Sequence, residues 1–217
     1  MRPALILFAK APLQGRVKTR LCPPLTAGQA AQLHRCFVRD TLEMLGAFAG
    51  RADVELHTDT PTDAWTAAEV STALQVPGDL GTRLYHALDT ELARGRPRVV
   101  VLGSDSPTLP PEHVELLLSS HADVALGPCR DGGYYGISCG KCHPGMFAGV
   151  EFSSPRALET TVHAVEACGL SVELGEEWFD VDSPADLDLL RDSPALPRTA
   201  SLPRHTARFL GCLRIPR

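Results

Sequence analysis

Four short stretches of this chain carry residue types that could do chemistry. Lys10, Arg16, Lys18 and Arg20 crowd one loop, Lys10 to Leu21, around Gly15 and with no acid among them. Lysine offers point charge and arginine a planar fork, a combination that suits a polyphosphate; an isolated charge run also reads as a solvated loop. Neither G-x-x-x-x-G-K-[ST] nor G-x-G-x-x-G is present there. Asp105 stands among small residues in Gly103-Ser-Asp-Ser-Pro107, where a carboxylate can reach a hard cation and the phosphates it carries, or can simply turn the chain. Asp180 and Asp182 in Trp178-Phe-Asp-Val-Asp-Ser-Pro184 are two apart on an extended segment and so point the same way, toward one cation. The competing reading is that Asp182 and Ser183 cap a helix. In Asp131-Gly132-Gly133-Tyr134 the glycines allow close backbone approach to a ligand and Tyr134 adds a flat face and a hydroxyl, while Asp-Gly is equally a hairpin cue.

These stretches need a scaffold, and the apolar pattern supplies one. Val99 to Leu102 is an unbroken β-branched run between Pro97 and Gly103, as expected of a strand buried on both faces of a parallel sheet. Asp105 follows it, and in an open α/β sheet ligands gather outside the carboxyl ends of the strands. Ala4 to Phe8 is a first strand, directly before the basic loop. Thr26 and Gln29 form a capping box for a helix with apolar residues at helical spacing up to Gly50. Strands follow near 54–56, 74–76, 98–102, 124–126, 134–138 and 172–174. Helices are expected from Pro61 (with Trp65), over 80–92, from Pro110–Pro111 to Leu118, from Ser154–Pro155 to Cys168, and after Ser183–Pro184. The alternation predicts a three-layer α/β fold around a mostly parallel mixed sheet, with the neighbouring strands at 124–126 and 134–138 as its antiparallel element. No internal repeat is evident.

The bulk composition excludes several classes. With 217 residues, 44% hydrophobic and 22% charged, the chain suits one α/β domain with a full core. The apolar run at the N-terminus is too short for a membrane span and lacks a small-residue cleavage site, so a cytoplasmic protein is expected. Residues 192–217 hold five arginines and one aspartate, a net +4, so residues 1–191 carry −9; an acidic body argues against a nucleic-acid partner. That proline-containing tail is expected to be a poorly ordered extension or an arm on the surface, dispensable for the 1–191 domain. Seven scattered cysteines argue against a disulfide framework in such a chain. Cys139 to His143 spells C-x-x-C-H, but haem attachment would need export and zinc a second ligand pair, so the spacing reads as incidental.

Taken in order, FAKAPLQGRVKTRL, Gln75 with PGDLGTRL, LGSDSPTLP, GPCRDGGYYGI and WFDVDSPADL resemble the bacterial transferases of the DUF2064 type, also described as radical-SAM/selenodomain-associated transferase 1, within the nucleotide-diphospho-sugar transferase (GT-A) superfamily. The resemblance spans about residues 4–190 and leaves the tail outside. The block K-x-P-x-x-G-x-V-K-T-R-L is also similar to the start of 2-phospho-lactate guanylyltransferase. The resemblance implies a Rossmann-like GT-A fold with a nucleotide half and an acceptor half. It implies Asp105 and Asp182 as ligands of Mg²⁺ or Mn²⁺, although the motif is Gly-Ser-Asp-Ser rather than Asp-x-Asp. It implies phosphate contacts from Lys18, with Lys10, Gly15 and Arg20 in the same loop. Gln75, Gly78, Asp79, Gly81 and Arg83 would approach the base and ribose, and Asp131 to Tyr134, including Gly132 and Gly133, would line the acceptor or sugar subsite.

Glycosyl and nucleotidyl transfer both develop negative charge on phosphate oxygens, which a divalent cation and nearby Lys or Arg stabilise. Asp131 or Asp180 could deprotonate an acceptor. The family resemblance implies metal-dependent glycosyl transfer from a nucleotide sugar to a small-molecule acceptor. Nucleotidyl transfer from an NTP to a phosphorylated acceptor stands beside it, and nucleotide binding without turnover is the third reading. A homodimer is compatible with all three.

Overall fold

The structure is a computed structural model and describes residues 1–66, 70–192 and 203–213. The strands are β1 (Ala4–Ala9), β2 (Asp53–Thr58), β3 (Ser71–Leu74), β4 (Val99–Gly103), β5 (Val124–Pro128), β6 (Tyr134–Cys139) and β7 (Val172–Leu174). The helices are α1 (Ala27–Leu45), α2 (Leu80–Ala93), α3 (Pro111–Ser119), α4 (Ala157–Ala167), α5 (Pro184–Asp192) and α6 (Arg204–Cys212). The sheet runs β3-β2-β1-β4-β6-β5-β7. β6 pairs antiparallel with both β4 and β5, and the other pairings are parallel. This is the mixed sheet the alternation predicts.

Both sheet faces are buried, as the apolar runs require. Leu5, Leu7, Val100 and Leu102 face one core with Val38 and Leu45 of α1 and Val114 and Leu117 of α3. Ala4, Ile6, Val99 and Val101 face the other, with Leu84 and Leu88 of α2 and Val165 of α4. From β1 the chain moves outward to β2 and β3, then returns past β1 to β4. The strand order thus reverses between β1 and β4, which opens a crevice at their carboxyl ends. The basic loop leaves β1 into that crevice, and Asp105 follows β4.

The capping box of α1 is present: Gln29 N donates to Thr26 Oγ1 (3.2 Å) and Thr26 N to Gln29 Oε1 (2.8 Å). Elsewhere local chemistry moved the elements. No helix forms over residues 61–66, and residues 67–69 lie outside the described residues. Thr62 Oγ1 accepts from Ala64 N, and Thr66 N closes a single turn on Asp63 O. Trp65 is nonetheless buried, in the first core. Ser154 does not cap α4; its Oγ accepts from Arg156 N and the helix starts one residue later.

The tail contains a helix that its irregular sequence did not predict. Asp40 of α1 is 3% exposed and accepts from His205 N (2.9 Å), Thr206 N (2.8 Å) and Thr206 Oγ1 (2.6 Å). One helix therefore caps another, satisfying amides that α6 leaves open. Leu210 closes a third core with Leu33 and Phe37 of α1 and Leu187 and Leu190 of α5. Residues 193–202, part of the expected surface arm, lie outside the described residues. The dispensable tail is thus revised. Asp40→Ala is expected to cost about 1–3 kcal/mol, and truncation after Leu190 to lower the thermal midpoint at least as much. Unfolding of both variants against the full chain checks this; unchanged midpoints would mean that α6 does not dock.

Candidate active site

The site is organised by one buried cation. Val17 and Leu21 sink into the protein around the basic loop, and Lys18 adopts a left-handed backbone conformation (φ 49°). Its side chain is only 3% exposed. Lys18 Nζ donates to Asp105 Oδ1 (2.7 Å), Asp182 Oδ1 (2.8 Å) and the Val181 carbonyl (2.7 Å), so all three ammonium protons have acceptors. The ring of Phe37 lies beneath it, 5.5 Å away. Burial alone would lower the lysine pKa, but the two carboxylates outweigh it and hold the amine protonated. For Asp105, burial pushes the carboxyl up and Lys18 pulls it below its usual range.

The alternative readings of both aspartates can now be weighed. α5 is opened by Ser183 and Asp186, not Asp182: Ser183 N and Oγ donate to Asp186 Oδ2, and Asp186 N returns a 3.4 Å contact to Ser183 Oγ. Asp182 is thereby released to face Lys18. Asp105 anchors the same segment through its backbone, its carbonyl accepting from Val181 N (2.9 Å), and its side chain turns to Lys18 rather than to its own turn. The basic loop is pinned from behind. His34 Nε2 lies 2.9 Å from the Lys10 carbonyl, and Ala11 N donates to Asp59 Oδ1 (2.7 Å). Burial lowers the His34 pKa, which makes the neutral ring, with Nε2 protonated, the donor to that carbonyl.

Cys129, Asp131 and Asp180 lie beside this centre, one ligand atom of each within 4.8 Å of the others. The carboxyl of Asp180 is raised to about 6, first by burial and then by repulsion from Asp131 and Asp182. Asp131 also makes the turn that its sequence suggested, with Oδ1 accepting from Gly133 N (2.9 Å).

The remaining expected residues are placed less directly. Arg20 is 75% exposed and 3.8 Å from Asp182. Lys10 is exposed at the mouth of the loop, and Gly15 has positive φ with open space around it. Asp79 caps α2 through Thr82 N (2.8 Å), which lowers its carboxyl pKa. Arg83 bonds Gly78 O (3.0 Å) and approaches Gln75 Oε1 (3.4 Å), while Gln75 donates to His57 O (2.9 Å). Among the described residues, none of Gln75, Gly78, Asp79 and Arg83 bonds to the Lys18 cluster. Two glycines answer to packing: a Cβ on Gly81 would meet Phe147 and Phe152, and one on Gly132 (φ +85°) would lie 2.0 Å from the Pro155 carbonyl oxygen. Tyr134 turns into the second core beside Thr161, where burial raises its pKa. His34, Asp59, Phe37 and Cys129 were not singled out from sequence, because each acts across a long separation that no local spacing reports.

The donor set suits a hard divalent cation. Two carboxylates converge on one positive charge, Lys18 occupies one oxygen of each, and the second oxygens remain for other partners.

The fold, a sheet reversing between β1 and β4, is shared with nucleotidyl and nucleotide-diphospho-sugar transferases. The chain belongs to the DUF2064 family, described as an uncharacterized protein conserved in bacteria, which matches residues 33–154. A Desulfovibrio desulfuricans G20 protein assigned provisionally to the nucleotide-diphospho-sugar transferases is 32% identical, with a TM-score of 0.83 over 96% of this chain and 94% of its own. The 2-phospho-L-lactate guanylyltransferase of Methanosarcina barkeri is 27% identical over 176 residues, 78% of each chain. A cytidylyltransferase from Leptospira borgpetersenii shares the fold at a TM-score of 0.55, with 14% identity over 97% of this chain and 93% of its own. Among the described residues no helix is long and apolar enough to cross a membrane.

Lys18→Ala leaves Asp105 and Asp182 facing each other without their cation. Binding of a nucleoside triphosphate is expected to weaken by roughly 1.5–3 kcal/mol, with little change for the free nucleoside. Calorimetric titration of both ligands checks this, and equal losses would indicate general misfolding instead.

Proposed function

We propose that the protein is a Mg²⁺- or Mn²⁺-dependent nucleotidyltransferase that joins an NTP to a small acceptor bearing a phosphate or hydroxyl group and releases pyrophosphate. The observation carrying this reading is the buried Lys18 ammonium shared by Asp105 and Asp182 at the strand-order reversal. The guanylyltransferase relative, aligned over 78% of both chains, supports nucleotidyl over glycosyl transfer, which reverses the order expected from sequence. Asp105 and Asp182 would hold the metal ion, which when bound supplies charge neutralisation for the phosphates.

The chain's own groups account for the rest. Lys18 would turn a donor from its two aspartates onto a phosphate oxygen as charge moves onto the leaving pyrophosphate. Lys10 and Arg20, exposed on the same loop, draw the polyphosphate in. Gln75 and Arg83, already in contact, form a polar face for base or ribose, with the Gly78–Gly81 turn beside them. Asp180, half-buried and without a side-chain partner among the described residues, takes the acceptor proton, and Asp131 positions the turn across from it. Gly133 would keep that turn open to the acceptor, while Gly132 holds it against the Pro155 backbone.

A second reading, glycosyl transfer from a nucleotide sugar, is favoured by the Desulfovibrio relative, at 32% identity over 96% of the chain. The released product separates the two. With Mg²⁺ or Mn²⁺ and a panel of NTPs, nucleotide sugars and phosphorylated acceptors, pyrophosphate from an NTP is expected, falling roughly 10²–10⁴-fold in Asp180→Asn. Nucleoside diphosphate from a nucleotide sugar, with no pyrophosphate from any NTP, would replace this proposal with the second reading.

A further inference from the structure

We propose that Cys129, Asp131 and Asp180 form a second cation site, beside the one at Asp105 and Asp182, that takes a thiophilic divalent ion of the Zn²⁺ type. One sulfur and two carboxylate oxygens already lie within 4.8 Å of one another. Around a four-coordinate ion with bonds of about 2.0–2.3 Å, neighbouring ligand atoms sit roughly 3.3–3.8 Å apart, so small side-chain rotations close the set.

The thiol carries the inference beyond a pair of acids. Cys129 is 6% exposed, has no hydrogen-bond partner among the described residues, and is directed at the two carboxylates. The ligands come from two segments that the backbone clamps together: Trp178 N donates to Pro128 O (3.0 Å) and Arg130 N to Trp178 O (3.1 Å). Among the described residues, one oxygen of Asp131 is free of its turn and no other side chain hydrogen-bonds to Asp180. The exposed side of Asp131 leaves a fourth position open for water or an acceptor oxygen.

Ligand softness separates the two sites. Asp105 and Asp182 offer oxygen alone, which suits Mg²⁺ or Mn²⁺. A thiolate with two carboxylates favours Zn²⁺ or Co²⁺ over Mg²⁺. Binding converts the Cys129 S–H into a sulfur–metal bond and releases one proton to solvent. Resting on the proposed role of Asp180, the further consequence is that an ion here withdraws that carboxylate from proton transfer, so Zn²⁺ inhibits turnover supported by Mg²⁺. Ion binding itself does not depend on that role.

Cobalt reports the site without turnover. Titrating the reduced full-length protein with Co²⁺, without nucleotide, is expected to develop a thiolate-to-cobalt charge-transfer band that saturates near one equivalent and is displaced by Zn²⁺. The band should be absent in Cys129→Ser and persist in Cys142→Ser. Should Cys129→Ser fail to fold, Asp131→Asn is expected to weaken Co²⁺ binding more than tenfold. A band absent from the wild type, surviving Cys129→Ser, or lost in Cys142→Ser would overturn the proposal. Failure of the nucleotidyl reading would leave the cobalt band unaffected.

Discussion

The ammonium of Lys18 is the constraint on which the rest of the site depends. A buried cation is tolerated only when paired and hydrogen-bonded, and this one takes its acceptors from two distant parts of the chain: the turn after β4 and the segment before α5. With the loop that carries it, three connections at the carboxyl edge of the sheet are locked by one charge. Much nearby geometry follows. Phe37 supplies the floor, Val17 and Leu21 anchor the loop in apolar surroundings, and Ser183 with Asp186 assumes the capping duty that would otherwise hold Asp182. Removing the lysine would leave two carboxylates confined together, so the arrangement is built to hold positive charge, whether an amine or a metal ion.

The same reasoning sets the two halves of the crevice apart. At Lys18, one ammonium faces two carboxylates and offsets part of their charge. A few residues along the same segment, Asp180 lies beside Asp131 and Cys129 with no ion pair among the described residues, and its carboxyl pKa is raised to about 6. The fold thus places two carboxylates paired with an ammonium beside one that has no ion pair among the described residues. The parallel sheet makes this placement possible, because β1, β4, β5 and β7 all end at one edge and the reversed β6 only closes the turn that carries Asp131.

Much of this was legible in the sequence where a signal was local. Buried strands announced themselves as β-branched runs such as Val99 to Leu102, the α1 capping box was explicit in Thr26 and Gln29, and the antiparallel pair stood out because no helix separates it. Lys18, Asp105 and Asp182 could be singled out because each follows a strand or precedes a helix in a recognisable block. What escaped depends on distant partners. α6 is amphipathic over its nine residues, but it lacks a local cap, because its cap comes from Asp40, well over a hundred residues away. Trp65 is buried by tertiary packing, and local turn bonds from Thr62 and Asp63 override the helix that Pro61 suggested. Gly132 reads as space left for a ligand, yet the approach it permits is to the Pro155 backbone. The thiol of Cys129 gains meaning only from its position next to two carboxylates.

The central claim is that Asp105, Asp182 and Lys18 together hold a metal-bound phosphate. Crystals grown with Mn²⁺ and a nucleoside triphosphate, with diffraction recorded at the manganese absorption edge, test it directly. The account predicts an anomalous peak bonded to carboxylate oxygens of both Asp105 and Asp182, with Lys18 Nζ turned onto a phosphate oxygen. Nucleotide and manganese bound elsewhere, with the contacts of Lys18 to both aspartates unchanged, would contradict it.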